Sequence, residues 1–266
     1  MNRLAFATLN HSPVVGCDVP LSAQIAAAAA AGFDAISPDV FSLEAHVAAG
    51  GSWSQLGDAL AARDMTCSDV AGLNLDANPE RTKRTAERLL AAAAALRGEW
   101  MQVRVCAPVD DPLRDLFEWC AALYGSAGIG LGVEFSPATN VATIGEARAL
   151  LQSVHADTRV GVIVDTWHFF RTGAAWLELD ALPAGEVALV QLADGPSADP
   201  GPDGALHARR LPGEGELDLA AFGRWLHRAG YDGTVSVEVL SAVDREAPVD
   251  EFARRAHRSA LAWLAR

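Results

Sequence analysis

The sequence predicts a single (β/α)8 TIM barrel spanning residues 1–266, and three observations lead to this prediction. Short β-rich runs alternate with Ala-, Leu- and Arg-rich helical stretches along the whole chain, which is typical of repeated βα units around a parallel sheet. Eight such units can be counted. Hydrophobic residues make up 50% of the 266 positions, and α/β barrels commonly occupy this length as one domain.

The predicted strands are short runs rich in β-branched and apolar residues. In chain order they are Leu4–Leu9, Ala35–Val40, Thr66–Leu73, Trp100–Val105, Leu131–Phe135, Val160–Asp165, Val187–Ala193 and Val235–Leu240. The sixth run is nearly all apolar, as expected of a strand covered on both faces, and it ends abruptly in Asp165. Because barrel enzymes build their sites at the carboxyl ends of the strands, polar residues there are candidates for chemistry.

The predicted helices lie between these strands, near residues 21–31, 53–63, 79–97, 112–125, 143–154, 173–179, 219–229 and 250–264. Thr143 and Glu146 have the spacing of a capping box, and Asp218 is placed to cap the seventh helix. The segment 195–207 is too rich in Gly, Pro and Asp for a regular element. We interpret it as an insertion or a lid over the site.

The composition excludes several classes of partner. The formal net charge of −13 repels polyphosphate backbones and anionic lipids, so we expect neither nucleic acid nor a membrane as partner. The four cysteines form no CxxC pair, which favours a reducing compartment. The apolar run Ile25–Ala31 is too short to span a bilayer, and the first residues lack a signal-peptide core. We therefore expect a cytoplasmic protein.

Four acceptor residues lie at the ends of predicted strands five to eight: Glu134 in GVEF, Asp165 in VIVD, Gln191 in LVQLAD and Glu238 in VSVEVL. In a closed barrel these strand ends surround one point. Three carboxylates meeting there would repel one another unless a cation neutralised them. The pattern therefore predicts one divalent metal ion held by all four residues. For each residue alone, and most of all for Gln191, the alternative interpretation is a buried polar group bonded to backbone or an ordinary exposed loop acid.

The chain resembles the xylose isomerase-like barrels. The motifs that carry the resemblance are GVEFSP, VDTWHFFRTG, VQLADGP, RRLPGEGELDL and GYDGTVSVEVL. That family contains sugar isomerases, ketose 3-epimerases, inosose dehydratase, 3-dehydroshikimate dehydratase and endonuclease IV. The resemblance implies that Glu134, Asp165, Gln191 and Glu238 bind the metal and that His168 and Arg209 contact the substrate. The alternative interpretations are a core or supporting histidine for His168 and a solvated loop cation for Arg209.

The resemblance leaves the reaction open. Most relatives carry His where this chain has Gln191, and Gln followed by LAD and Pro is similar to the dehydroshikimate dehydratase branch. In contrast, GVEFSP and DTWHFFRTG look more like the isomerase and epimerase branch. A multi-zinc endonuclease is disfavoured because the chain is acidic and has only 7 His.

The expected chemistry starts with proton removal next to a carbonyl. An oxygen-rich ligand set with one amide suits Mn²⁺ or Mg²⁺, with Co²⁺ or Zn²⁺ as alternatives. Glu134 and Glu238 are expected to act as the acid/base pair on opposite faces of an enediolate. We predict an isomerase or epimerase of a ketose or keto-polyol. The alternative is a dehydratase of the 3-dehydroshikimate or inosose type.

Other interpretations are weaker. A barrel that only binds sugar or metal is less favoured, because such a site has no chemical need for an acid/base pair. The substrate is expected to be a small sugar, a cyclic keto-polyol or a keto acid. A few further residues face the top of the barrel or mark a homo-oligomer surface, with solvated-loop or packing roles as the alternatives: Asn10, His11, Asp39, Asp69, Trp167, Phe169, Phe170, Arg210, Trp225 and Trp263.

Overall fold

The structure is a computed structural model that describes residues 2–155, 158–173, 175–201, 204 and 206–266. Its strands are β1 Arg3–Ala7, β2 Ala35–Ser37, β3 Thr66–Cys67, β4 Asp69–Leu75, β5 Trp100–Val105, β6 Gly130–Glu134, β7 Val160–Asp165, β8 Val187–Leu192 and β9 Thr234–Val237. All of the pairings are parallel, and the order across the sheet is β3-β2-β1-β9-β8-β7-β6-β5-β4.

The sheet closes through its third strand, which Ser68 interrupts. β3 pairs with β2 and β4 pairs with β5, and an isolated parallel bridge from Asp39 to Ala71 joins the two sides. Ser68 lies at the break between β3 and β4. Its hydroxyl can donate to the carbonyl of Ile36 at 3.2 Å or to Asp69 Oδ1 at 2.7 Å. Counting β3 and β4 as one strand gives the predicted eight, and the barrel prediction is confirmed.

Helices surround the sheet. They are α1 Leu21–Ala31, α2 Val40–Ala48, α3 Trp53–Ala61, α4 Pro79–Ala95, α5 Asp111–Gly125, α6 Ile144–Leu151, α7 Thr166–Arg171, α8 Trp176–Asp180, α9 Leu219–Ala229 and α10 Val249–Leu264. Thr143 and Glu146 form the predicted capping box of α6, and Asp218 caps α9. Among the described helices, none is both long and apolar enough to cross a bilayer.

Two helices were absent from the sequence prediction. α2 follows β2 after a short turn, and the Asp39 carboxylate accepts from the backbone N–H groups of Phe41 and Ser42 at its start. α7 begins at Thr166, directly after the last residue of β7, without a linker. The predicted helix at 173–179 is shifted, since α8 begins at Trp176. The prediction at residue 174 lies outside the described residues.

Apolar side chains fill two regions. The larger core lies between the strands and the helices, and it includes Phe6, Val103 and Leu131. A small cluster of Ile163, Ala188 and Leu189 packs with Trp100. Because side chains alternate along a strand, Ile163 shares a face with Asp165 and Leu189 shares one with Gln191. This small cluster therefore lies within the barrel, below the carboxyl ends of β7 and β8.

The two tryptophans considered as dimer markers are core residues. Trp225 is 2% exposed and donates to the carbonyl of Leu179, and Trp263 is 7% exposed and donates to the carbonyl of Leu219. Both cover the barrel, so the interpretation of them as interface residues is wrong.

Candidate metal and active site

The four predicted acceptors converge at one end of the barrel. Across the ladder, Asp165 lies opposite Gln191, and Gln191 lies opposite Ser236, two residues before Glu238. Glu134 is 4% exposed, Glu238 is 3%, and Asp165 and Gln191 are at most 1%. These values exclude the alternative of ordinary exposed loop acids.

Asp165 connects the strand to the site. Its Oδ1 accepts from the backbone N–H of Trp167 at 2.7 Å and so caps α7. Since α7 begins directly after β7, His168 lies one helical turn from Asp165 on the same side. His168 Nε2 is 3.6 Å from Asp165 Oδ2 and 3.9 Å from Glu134 Oε1. The local sequence DTWH therefore places a carboxylate and an imidazole side by side at the end of the barrel.

Glu134, Asp165 and His168 form a possible divalent-metal site. Each offers one ligand atom, and the three atoms lie within 4.8 Å of one another. This grouping differs from the predicted ligand set, because it includes His168. The predicted ligand Glu238 instead accepts hydrogen bonds from Arg209 and from Gln191, the remaining predicted ligand.

Arg209 lies inside the site. It is 3% exposed, and its Nη1 donates to Asp165 Oδ2 at 3.0 Å and to Glu238 Oε1 at 3.2 Å. The same nitrogen contacts the backbone carbonyl of Glu238 at 3.2 Å. The solvated-loop interpretation of Arg209 is therefore excluded. In this structure its positive charge compensates two carboxylates, while its predicted contact with substrate stays a prediction.

Gln191 has one unpartnered atom. Its Nε2 donates to Glu238 Oε2 at 2.8 Å and to Gln102 Oε1 at 3.3 Å. Its Oε1 is buried and has no hydrogen-bond partner among the described residues. An orphaned carbonyl oxygen beside clustered carboxylates is the donor set that an oxygen-preferring cation completes. The residues present therefore fit a divalent ion.

The electrostatics of the site also favour a cation. Burial raises the pKa of Glu238 well above its ordinary value, and the charges of Asp165 and Glu134 add to the rise while Arg209 opposes it. Burial lowers the pKa of His168, against the pull of Asp165 and Glu134. A bound cation would stabilise the ionised carboxylates directly.

Two site residues on β5 were missed by the sequence analysis. Gln102 and Arg104 occupy alternate positions of QVRV, so they share one face of an otherwise apolar strand. Arg104 Nε is 3.4 Å from Glu134 Oε2, and the Arg104 side chain remains 41% exposed. This alternation was a usable signal: the strand positions that face the helices are normally apolar, so the alternate polar residues mark the side that faces the barrel interior.

The family model described as a xylose isomerase-like TIM barrel matches residues 25–266. The chain belongs to the xylose isomerase-like TIM barrel family. This membership confirms the resemblance and the fold prediction.

Within this family, relatives match different shares of the chain. A 3-dehydroshikimate dehydratase of Pseudomonas putida is 32% identical over 103 residues, which is 38% of this chain and 16% of that protein. A xylose isomerase-like TIM barrel/4-hydroxyphenylpyruvate dioxygenase fusion protein is 24% identical, with TM-score 0.84, over 98% of this chain and 42% of the fusion. The structure of the IOLI protein with a bound zinc atom is 16% identical, with TM-score 0.87, over 99% of this chain and 98% of that one.

The chain spans less than half the length of the dehydratase and of the fusion protein. The similar solved structures establish the fold. The family and its dehydratase member support an enzyme, and the cluster of Glu134, Asp165 and His168 supports a divalent-metal site.

Two of the weaker candidates near the first strands, Asn10 and Asp39, hold neighbouring elements together. Asn10 Nδ2 donates to the carbonyl of Val237 at 3.0 Å, and Asn10 Oδ1 accepts from Val239 N–H at 2.6 Å, so the turn after β1 is fastened to the end of β9. Asp39 accepts from the hydroxyls of Thr8, Ser12 and Ser42 besides capping α2. The solvated-loop interpretation is wrong for Asn10, His11, Asp39 and Asp69, because all four are at most 2% exposed.

The segment after β8 is fastened to α7 in its described part. Arg171 donates to the carbonyls of Pro196, Ser197 and Ala198 at 2.5 to 3.3 Å. The Arg171 guanidinium carbon Cζ also lies 4.3 Å from the centroid of the Trp167 ring. The Cζ of Arg209 lies 5.5 Å from the same centroid. Residues 202, 203 and 205 of the segment 195–207, for which we considered an insertion or a lid, lie outside the described residues.

Phe169 and Phe170 of α7 serve packing. Phe169 is fully buried against Trp176 and Phe222, and Phe170 contacts both Phe169 and Trp176. This cluster holds α7 on the barrel and so positions His168.

Proposed function

We propose that this protein is a divalent-metal-dependent lyase that removes water from a cyclic keto acid of the 3-dehydroshikimate type. The observation that carries the proposal is Arg104, a half-exposed guanidinium beside Glu134 at the site. Arg209 is already engaged by two carboxylates, so Arg104 supplies the cation for a substrate carboxylate. A neutral ketose has no anionic group for Arg104 to bind. The partial identity to a 3-dehydroshikimate dehydratase supports the same substrate class.

Glu134, Asp165 and Gln191 would hold the ion, with His168 or Glu238 completing the set. When bound, the ion would polarise the substrate carbonyl as a Lewis acid, most readily as Mn²⁺ or Mg²⁺ for an oxygen-rich set. The remaining steps belong to side chains of the protein.

The elimination needs a base and a proton donor. Glu134 is suited to act as the base, because its neighbours Arg104 Nε and His168 Nε2, at 3.4 and 3.9 Å, are too distant for strong hydrogen bonds. It would take the proton from the carbon next to the carbonyl. That electron pair forms the new C=C bond as the β-hydroxyl leaves as water with a proton from a second acid, for which Glu238 is our first choice. Glu238 Oε1 accepts a hydrogen bond from Arg209 and its Oε2 accepts one from Gln191, and these two bonds fix the position of the carboxyl group.

An isomerase or epimerase of a ketose or keto-polyol is the second candidate. Glu134 at the end of β6 and Glu238 after β9 flank Asp165 and Gln191. Acids on both sides of the reacting carbon would permit proton return to the opposite face. The first step is shared with the lyase reaction, and the fate of the β-hydroxyl separates the two.

The test supplies purified, chelator-stripped and Mn²⁺-reloaded protein with 3-dehydroshikimate and, separately, with a panel of neutral ketoses in D₂O. The lyase proposal expects a new aromatic product by ultraviolet absorbance from the keto acid. Deuterium entering a ketose without loss of water would overturn it in favour of the second candidate. Arg104→Met should raise KM for the keto acid at least about tenfold, the usual cost of a lost charged hydrogen bond. Arg84→Met, on an exposed part of α4, is the matched control.

A further inference from the structure

Gln102 is a buried polar residue that the proposed reaction does not use. It lies on β5 with 5% exposure, and its Oε1 accepts from Gln191 Nε2 at 3.3 Å. β5 and β8 are separated in the sheet by β6 and β7, so this hydrogen bond crosses the interior of the barrel. A residue that only filled the barrel could have been apolar, as Ile163 and Leu189 are.

The hydrogen bonds of Gln191 determine which way its amide faces. An amide nitrogen has two hydrogens, and Gln191 Nε2 has two acceptors, Glu238 Oε2 at 2.8 Å and Gln102 Oε1 at 3.3 Å. A flipped amide would place its oxygen against an amide oxygen and a carboxylate oxygen. The flip therefore loses two hydrogen bonds and brings acceptors together.

This orientation of the amide determines where the oxygen of Gln191 lies. With its nitrogen held by two acceptors, Gln191 presents a buried oxygen that has no partner among the described residues. Amide oxygen is a hard ligand that suits Mn²⁺ and Mg²⁺, whereas the amide nitrogen, a donor only, cannot ligate a cation.

We propose that Gln102 is a positioning residue that holds the amide of Gln191 with its oxygen toward the metal site and so sets the site's preference for oxygen-seeking ions over Zn²⁺. This inference rests on the metal site of the proposed function. Glu238 accepts one of the two amide hydrogens and Gln102 accepts the other, so both acceptors oppose a flip and Gln102 adds to the orientation that Glu238 favours. Groups that orient a ligand in this way typically change metal affinity by about 10- to 100-fold when they are removed.

The test is a double-mutant cycle on metal affinity in the full chain. Gln102→Met keeps the length of the side chain and removes the acceptor, and Gln102→Glu retains an acceptor. Mn²⁺ binding is followed by the electron paramagnetic resonance signal of free Mn²⁺, and Zn²⁺ binding is followed by competition. Thermal melts of the chelated proteins show that each variant is folded.

We expect Gln102→Met to weaken Mn²⁺ binding at least about tenfold, to weaken Zn²⁺ binding less, and to have no further effect in a Gln191→Met background. Gln102→Glu should retain Mn²⁺ binding. Equal losses in both backgrounds, or no loss in either, would overturn the inference. If the wild-type chain binds no Mn²⁺, the proposed function fails with it. If the wild type binds Mn²⁺ and Gln102→Met binds it equally well, only the role of Gln102 fails.

Discussion

Arg209 and Asp165 form a buried ion pair, with 3.0 Å between Nη1 and Oδ2 and side chains that are 3% and 0% exposed. The same nitrogen is 3.2 Å from Glu238 Oε1. One arginine therefore compensates two carboxylates that come from different strand ends. Removing one partner of a buried ion pair leaves an uncompensated charge in a poorly solvated place.

Arg209→Met should lower the free energy of unfolding of the chelated protein by about 3–5 kcal/mol, because Asp165 and Glu238 lose their shared cation. Mn²⁺ should restore part of this loss, since a bound ion supplies positive charge to the same carboxylates. Urea denaturation with and without Mn²⁺ measures both effects. The exposed control Arg84→Met should stay within about 0.5 kcal/mol of the wild type. A chelated Arg209→Met protein as stable as the wild type would contradict the prediction.

Asp69 should make stability depend on pH. Burial raises its pKa from 3.8 to about 6, against the hydroxyls of Ser68 and Ser37. The folded pKa lies above the unfolded one, so this group's contribution is complete below pH 3.8 and is lost as pH rises through 6. Asp69→Asn removes the titration, and its stability relative to wild type should rise by about 2–3 kcal/mol between pH 4 and pH 7.5. Urea denaturation of both proteins in chelator checks this, and a pH-independent difference would count against it.

His11 should make stability depend on pH in the direction opposite to Asp69. Burial lowers its pKa from 6.5 to about 4, with a further lowering from the charge of Arg245. Stability from neutral His11 is complete above pH 6.5 and is lost as pH falls through 4. When pH falls from 7.5 to 4, the free energy of unfolding of the His11→Leu protein should therefore decrease by about 3 kcal/mol less than that of the wild type. The measurement is the pH slope of each protein's unfolding free energy, and parallel slopes would show that His11 does not carry the effect.

Arg171 should hold the described part of the segment after β8. Its three carbonyl partners belong to residues 196–198. Arg171→Met should speed amide hydrogen exchange in 195–201 by about tenfold or more, because each lost hydrogen bond is worth on the order of 1 kcal/mol. Arg159→Met, which loses a comparable stacking contact on Trp100, is the control and should leave that exchange unchanged. Unchanged exchange in Arg171→Met would mean that other contacts hold the segment.

The sequence predicted the barrel because each strand carries its own signal. Val160–Asp165 and Trp100–Val105 match the structure at both ends. α2 and α7 were missed because each follows a strand end with little or no linker, so a strand-like run passes directly into a helix. Asp39 and Asp165, read as strand-end polar residues, are also the N-caps of those helices.

The site was only partly predictable for a different reason. Glu134, Asp165, Gln191 and Glu238 follow from their positions at strand ends. The pairing of Arg209 with two carboxylates and the bond from Gln102 to Gln191 are contacts between distant parts of the chain. No local pattern specifies such distances, and only the closed barrel brings these side chains together.

The most direct test of the central claim is Mn²⁺ binding by the chelator-stripped wild type and by Glu134→Gln, with Glu44→Gln as a control that changes an exposed glutamate paired with Arg88. Our account predicts about one Mn²⁺ per wild-type and control chain, and binding at least about tenfold weaker in Glu134→Gln, because a neutral amide replaces a carboxylate ligand. A wild-type chain that binds no divalent ion, or a Glu134→Gln chain that binds it as tightly as the control, would contradict the claim.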